Sequence, residues 1–159
     1  MVDRDMNDFH ESNRACWNQW ADWWRRKADQ RGVWRECHRD PTLVLTPGEM
    51  RFLSNVRGKD VCVLGSGDNE VVFALAGMGA HVTSVDISEK QLEVARERAG
   101  VLGLDVSFAR ADVTDLASVA DANFDVVYTR PHFGLGLRHQ QVLRRGRARV
   151  EAARPVHRQ

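Results

Sequence analysis

Four short apolar runs punctuate the middle of the chain: Val61–Leu64, His81–Val85, Val106–Ala109 and Phe124–Tyr128. Each is four or five residues long, the length and character of a buried strand. Between them the pattern shifts to a spacing of three and four. From Asn69 to about Met78, the apolar positions Val72, Phe73 and Ala76 predict a helix that Gly77 and Gly79 bring to a stop. Ser88 is placed to cap a second helix running to Leu102. Its buried face is expected at Leu92, Ala95 and Ala99, its wet face at Glu89, Glu93, Arg96 and Arg98, and its end at Gly103. Residues 115–120 read as one further short helix. The strand–helix alternation predicts an α/β fold: a Rossmann-like parallel sheet with helices on both faces. No internal repeat interrupts it.

Upstream, residues 12–30 predict a helix with Trp17, Trp20, Trp24 and Ala28 on one apolar face and Trp23 off it. All five tryptophans fall within the first 34 residues. Two readings remain open for this helix: a brace packed on the domain, or a lid over a ligand. Asp40-Pro41 marks a break. Thr46, Pro47 and Glu49 then spell a capping box with proline in the first turn, and Gly58 is the expected stop.

Composition narrows the class. The chain has 159 residues, 43% apolar and 28% charged, enough for one domain with its own core. No apolar run approaches a membrane span, and the polar, acidic start is unlike a signal peptide. Cys16, Cys37 and Cys62 are odd in number and lack metal spacing. They predict no disulfide framework, no metal site and a cytoplasmic setting. Cys62, inside an apolar run, is expected to be a small buried hydrophobe.

Charge is unevenly spread. Residues 1–134 carry 16 basic and 21 acidic side chains, whereas residues 135–159 carry seven arginines and one acid, Glu151. The tail has no lysine, no aromatic residue and no strand pattern. It predicts a disordered segment or weak helix, and a sheet incomplete after its fourth strand. It also allows a nucleic-acid-binding reading. Its composition further resembles coding sequence read out of frame. Back-translated from the second base of the Gly136 codon, it permits an amphipathic helix, a proline turn and an apolar strand. The expectation is a loss of two nucleotides near Leu135–Gly136.

The chemistry concentrates in residues 61–86. A strand is followed by Gly65 and Gly67, a helix, a second strand, and Asp86, 21 residues beyond Gly65. This is the layout of a nucleotide-binding βαβ unit, in which glycines let a ligand approach the backbone and the acid accepts ribose hydroxyls. In the hydride-cofactor fingerprint, however, the third glycine position is here Glu70. A carboxylate there would crowd the helix and repel a pyrophosphate. A nicotinamide-dependent oxidoreductase is therefore the second reading, behind a ligand without pyrophosphate.

Over roughly residues 12–134 the chain resembles the class I S-adenosylmethionine (SAM)-dependent methyltransferases of the small-molecule type. Four segments carry the resemblance: VLGSGDN at 63–69, VTSVDIS at 82–88, SFARADVTDL at 107–116 and FDVVYT at 124–129. It implies a SAM site built from Gly65, Ser66, Gly67, Asp86, Ile87, Asp112, Val113 and Thr129. Asp86 would take the ribose, with Asp112 and the Val113 backbone at the adenine. Non-functional readings stand beside these: Asp86 as part of the helix entry with Ser88, Asp112 as a turn acid, Asp68 as a helix cap. His132, just past the fourth strand, is the candidate catalytic base, or else a surface histidine; His10 is a weaker candidate. Two departures are visible: Val63 stands where many members carry an acid, and Asn69 replaces the third loop glycine. The implied organisation is a helical lid or cap over 1–57, a SAM-binding half domain over 58–134 and a basic tail over 135–159. The implied partner is a small-molecule methyl acceptor, with neither nucleic acid nor membrane.

Overall fold

Each of the four apolar runs forms a strand, and the alternation with helices produces the expected parallel sheet. The computed structural model describes residues 2–67, 70–112, 123–129 and 144–149. The strands are β1 (Asp60–Leu64), β2 (His81–Asp86), β3 (Val106–Arg110), β4 (Asn123–Thr129) and β5 (Arg144–Arg149). The helices are α1 (Val2–Arg31), α2 (Pro47–Phe52), α3 (Glu70–Gly77) and α4 (Glu89–Leu102). The expected helix at 115–120 lies outside the described residues.

The sheet order is β3-β2-β1-β4-β5. The first four strands are parallel, with the reversal of strand order falling between β1 and β4. β5 corrects the expectation that nothing follows the fourth strand, and that the tail forms no strand. It pairs antiparallel with β4, Asn123 opposite Arg149 and Val127 opposite Arg144. The reason is that ladder hydrogen bonds come from the backbone. The exposed edge of β4 offers a row of N–H and C=O groups to any proline-free segment, whatever its side chains.

One face of the sheet carries Val61, Val63, Val82, Val126 and Tyr128, packed with Val72, Phe73 and Leu75 of α3 and with Leu45 and Leu53 around α2. The other carries Cys62, Leu64, Val85 and Val127, joined by Phe124. An irregularity between Phe124 and Val126 breaks the strict alternation, which is how Phe124 and Val127 come to share a cluster. Among the described residues, no helix contributes to this second cluster. Cys62 is fully buried as expected, and burial pushes its thiol up to about 12.

The local signals behave as their chemistry dictates. Thr46 and Glu49 form the capping box. Glu49 is buried and also accepts a 2.7 Å hydrogen bond from the Tyr128 hydroxyl, tying α2 to β4. Ser88 caps α4, and Gly103 closes it in the left-handed conformation. Two expectations are corrected. Trp20 and Trp24 point outward, 49% and 37% exposed, whereas Ala28 is buried as expected and is joined by Ala21. The roll is set by polar partners and by small side chains that let α1 approach α4 closely. Arg98 belongs to the buried side of α4, at 4% exposure. Its guanidinium lies over the Trp34 ring and donates to Asp29 Oδ1 and the Arg25 carbonyl, so the charge is compensated where it is buried.

Candidate functional site

The site grows from the C-terminal ends of the parallel strands. β1 ends at Leu64, and the chain turns at once through Gly65 (φ 60°) and Gly67 (φ 55°), a left-handed geometry that side chains with a Cβ rarely adopt. A Cβ on Gly65 would meet no atom within 4 Å, so the space beside this loop is open. Ser66 faces the other way. Its N–H reaches the Val85 carbonyl at 3.2 Å and its hydroxyl accepts from Ser84 at 2.9 Å, which fastens the loop to β2.

Asp86 closes β2 and is 7% exposed. Its Oδ2 accepts from the Gly67 N–H and its Oδ1 from the Ser88 N–H, both at 2.9 Å. One carboxylate therefore joins the glycine loop to the entry of α4. The helix-entry role and a ligand role are compatible, because each carboxylate oxygen can receive more than one donor. Ile87, half-buried, follows it. The Ala111 N–H donates to the Asp86 carbonyl at 3.1 Å, which sets Asp112 beside this turn. Thr129, the last residue of β4, is opposite Leu64 in the register and so borders Gly65. Gly65, Ser66, Gly67, Asp86, Ile87, Asp112 and Thr129 thus lie along the C-terminal ends of the parallel strands; Gly65 and Thr129 flank the point where strand order reverses, the place where open α/β sheets hold ligands. Val113, Asp68, Asn69 and His132 lie outside the described residues.

Glu70 does not crowd the loop as the third glycine position implied. It opens α3, and its Oε1 is 2.6 Å from Arg31 Nη2 at the end of α1. The carboxylate is drawn to a cation on a neighbouring element.

Three residues of α1 were not singled out for this site, or only faintly. His10 Nδ1 lies 2.7 Å from Asp112 Oδ2. Arg14 Nη1 is 3.4 Å from Glu89 Oε1. Asn18 Oδ1 accepts from Ser88 Oγ at 2.6 Å and from the Lys90 N–H at 3.4 Å. Their spacing of four, a polar stripe along one side of a helix, was the available signal. Glu89 is held below the usual glutamate range, first by its own backbone N–H and then by Asn18, against an opposing desolvation effect, with Arg14 and Arg110 adding smaller contributions. Among the described residues, no group of histidine, cysteine and acidic side chains is arranged to hold a metal ion, and no helix is long and apolar enough to cross a membrane.

Comparison with known proteins bears directly on this arrangement. A family model described as a methyltransferase domain matches residues 55–156, reaching into the basic tail. Among curated proteins, the ubiquinone biosynthesis O-methyltransferase of Idiomarina loihiensis is 32% identical over 109 residues, covering 66% of this chain and 41% of that protein. The demethylmenaquinone methyltransferase of Clavibacter sepedonicus is 42% identical over 78 residues, 48% of this chain and 31% of that one. The chain spans about two fifths of the length of the first curated relatives it matches, 39% and 42% in two further cases. Among solved structures, the magnesium protoporphyrin IX methyltransferase of Synechocystis PCC 6803 with bound SAM aligns over 76% of this chain and 60% of that one, at a TM-score of 0.56 and 23% identity. That likeness concerns the fold.

Proposed function

Since the chain belongs to the methyltransferase-domain family, we propose that its glycine loop and Asp86 bind SAM and that it serves methyl transfer to a small-molecule acceptor. The observation that carries this reading is the Asp86 carboxylate, buried at the end of β2 and bonded to the Gly67 N–H of the loop. The residues fit the ligand. Open space lies beside Gly65, a carboxylate faces the ribose position, and a second acid, Asp112, stands next to it for the adenine amine. The nicotinamide alternative loses ground because the family match is to a methyltransferase domain. The two curated relatives are an O-methyltransferase of ubiquinone biosynthesis and a demethylmenaquinone methyltransferase, which supports a small organic acceptor here.

Methyl transfer from a sulfonium is an in-line displacement, and SAM supplies both the methyl group and the leaving thioether. The protein's part is alignment. Gly65 and Gly67 let the backbone pass close to the ligand. Asp86 accepts the ribose hydroxyls, with Ile87 beside it; Asp112 and Val113 meet the adenine; Thr129 borders the way toward the acceptor. His132, past β4, takes the proton released by a hydroxyl or amine acceptor. Residues 1–57 form the helical cap over this half domain at 58–134. Cys16, Cys37 and Cys62 form no disulfide with one another, which suits a reducing, cytoplasmic compartment.

Calorimetric titration of the full chain with SAM, and in parallel with NAD, tests the reading. SAM is expected to bind and NAD to leave no heat. Asp86→Ala is expected to weaken SAM binding by about a hundredfold, since it removes a buried charged acceptor and frees the loop. No SAM binding by the wild-type chain, or equal binding by Asp86→Ala, overturns it.

A further inference from the structure

We infer that α1 is the outer wall of the adenosine side of the site, and that His10 and Asn18 are positioning residues for its two recognition acids, Asp112 and Asp86. The inference rests on the SAM reading above. It starts from spacing: His10, Arg14 and Asn18 recur every four residues, so α1 presents them as one stripe. Each meets a different part of the strand ends. His10 meets Asp112 after β3, Arg14 meets Glu89 in the first turn of α4, and Asn18 meets Ser88 at its cap.

The relay through Asn18 is continuous. Its Oδ1 accepts the Ser88 hydroxyl at 2.6 Å. The same hydroxyl accepts the Gln91 N–H, and the Ser88 N–H donates to Asp86 Oδ1. Ser88 is fully buried, so its orientation depends on these partners and not on water. Asn18 fixes Ser88, and Ser88 fixes one oxygen of the ribose-binding carboxylate while Gly67 fixes the other. His10 acts on the second acid. Its Nδ1 stands 2.7 Å from Asp112 Oδ2, so the imidazole edge limits where that carboxylate can sit.

The rest of α1 is secured independently. Arg98 bonds the Arg25 carbonyl and Asp29, Arg25 pairs with Glu97, and Arg31 pairs with Glu70. The stripe at residues 10–18 is therefore not required to hold the helix on the domain. Its contacts converge instead on the nucleoside-reading turns. Affinity for the adenosine moiety then depends on two side chains that do not touch it.

SAM titration of the full chain and of four variants tests this, with thermal unfolding followed on each. Asn18→Ala and His10→Leu are expected to weaken SAM binding by about tenfold each, one lost polar contact to a charged or buried partner. Asn18→Asp keeps an oxygen opposite Ser88, and His10→Asn keeps an N–H near the Nδ1 position. Both are expected to recover most of the affinity, which a purely packing role would not produce. Equal affinity for Asn18→Ala and Asn18→Asp, and for His10→Leu and His10→Asn, overturns the inference while wild-type binding leaves the SAM reading standing. A wild-type chain that binds no SAM overturns both.

Discussion

At Asp86 the two carboxylate oxygens receive N–H donors from opposite sides, Gly67 of the loop and Ser88 of the helix entry. A substitution there is expected to disturb both ligand and loop, whereas His132→Ala is expected to lower turnover about a hundredfold with SAM affinity unchanged. Measuring kcat and the SAM dissociation constant separately checks that division. Glu89 gives a pH prediction. Its pKa is lowered in the fold, so its contribution is present above the ordinary glutamate value of about 4.3 and is lost as pH falls through the lower folded value. The difference in thermal midpoint between wild type and Glu89→Gln is expected to persist at neutral pH and to disappear as pH falls below the ordinary glutamate range and through the lower folded value. Thiol reactivity divides the cysteines. Cys16 is exposed, while Cys37 and Cys62 are buried and burial raises Cys62 to about 12. An alkylating agent is expected to label Cys16 in the native protein and the other two only on unfolding.

Among the elements, the helices show how far tertiary partners override a one-dimensional pattern. The spacing of Trp17, Trp20, Trp24 and Ala28 foretold a helix correctly and the burial of Ala28, but not that Trp20 and Trp24 face outward. The buried face of α1 is chosen by what α4 offers: the N-cap at Ser88, Glu97, and Arg98 with its Trp34 and Asp29 partners. Asp29→Ala removes the acceptor of both Arg98 and the Trp34 indole. It is expected to cost about 1–3 kcal/mol, read by denaturant unfolding. The short α2 depends on its cap, and Thr46→Val is expected to cost about 1 kcal/mol by the same measurement. On α3, a Cβ at Gly77 would collide with the His38 backbone. Gly77→Ala is therefore expected to destabilise by about 1–3 kcal/mol despite its better helix propensity.

For the molecule as a whole, the acidic body and arginine-rich tail meet at the sheet edge, where β5 pairs with β4. Backbone pairing, indifferent to side-chain hydrophobicity, is why composition could not reveal it. The out-of-frame reading of residues 136–159 remains a proposal about the gene. It predicts two further nucleotides between the codons of Phe133 and Leu137, and resequencing that stretch checks it. The nucleic-acid reading predicts binding that weakens steeply with salt, and a family match to a methyltransferase domain gives it no support.

The sequence by itself determined the four parallel strands, the caps at Thr46 and Ser88, the stop at Gly103 and the adjacency of Gly65, Gly67 and Asp86. The strand segments, caps and stop depend on neighbours within a turn or two, or on a repeat that a short window contains; the parallel pairing and the Gly67–Asp86 contact, 19 residues apart, were legible through the strand–helix–strand order. Tertiary structure alone decided the face α1 buries, the burial of Arg98, the turning of Glu70 toward Arg31, the strand at 144–149 and the stripe of His10, Arg14 and Asn18 against the strand ends. The strand at 144–149 depends on the open backbone edge of β4; the others join side chains far apart in the chain, 39 positions for Arg31–Glu70 and 70 for Asn18–Ser88, where burial and charge compensation exist only once the chain has folded.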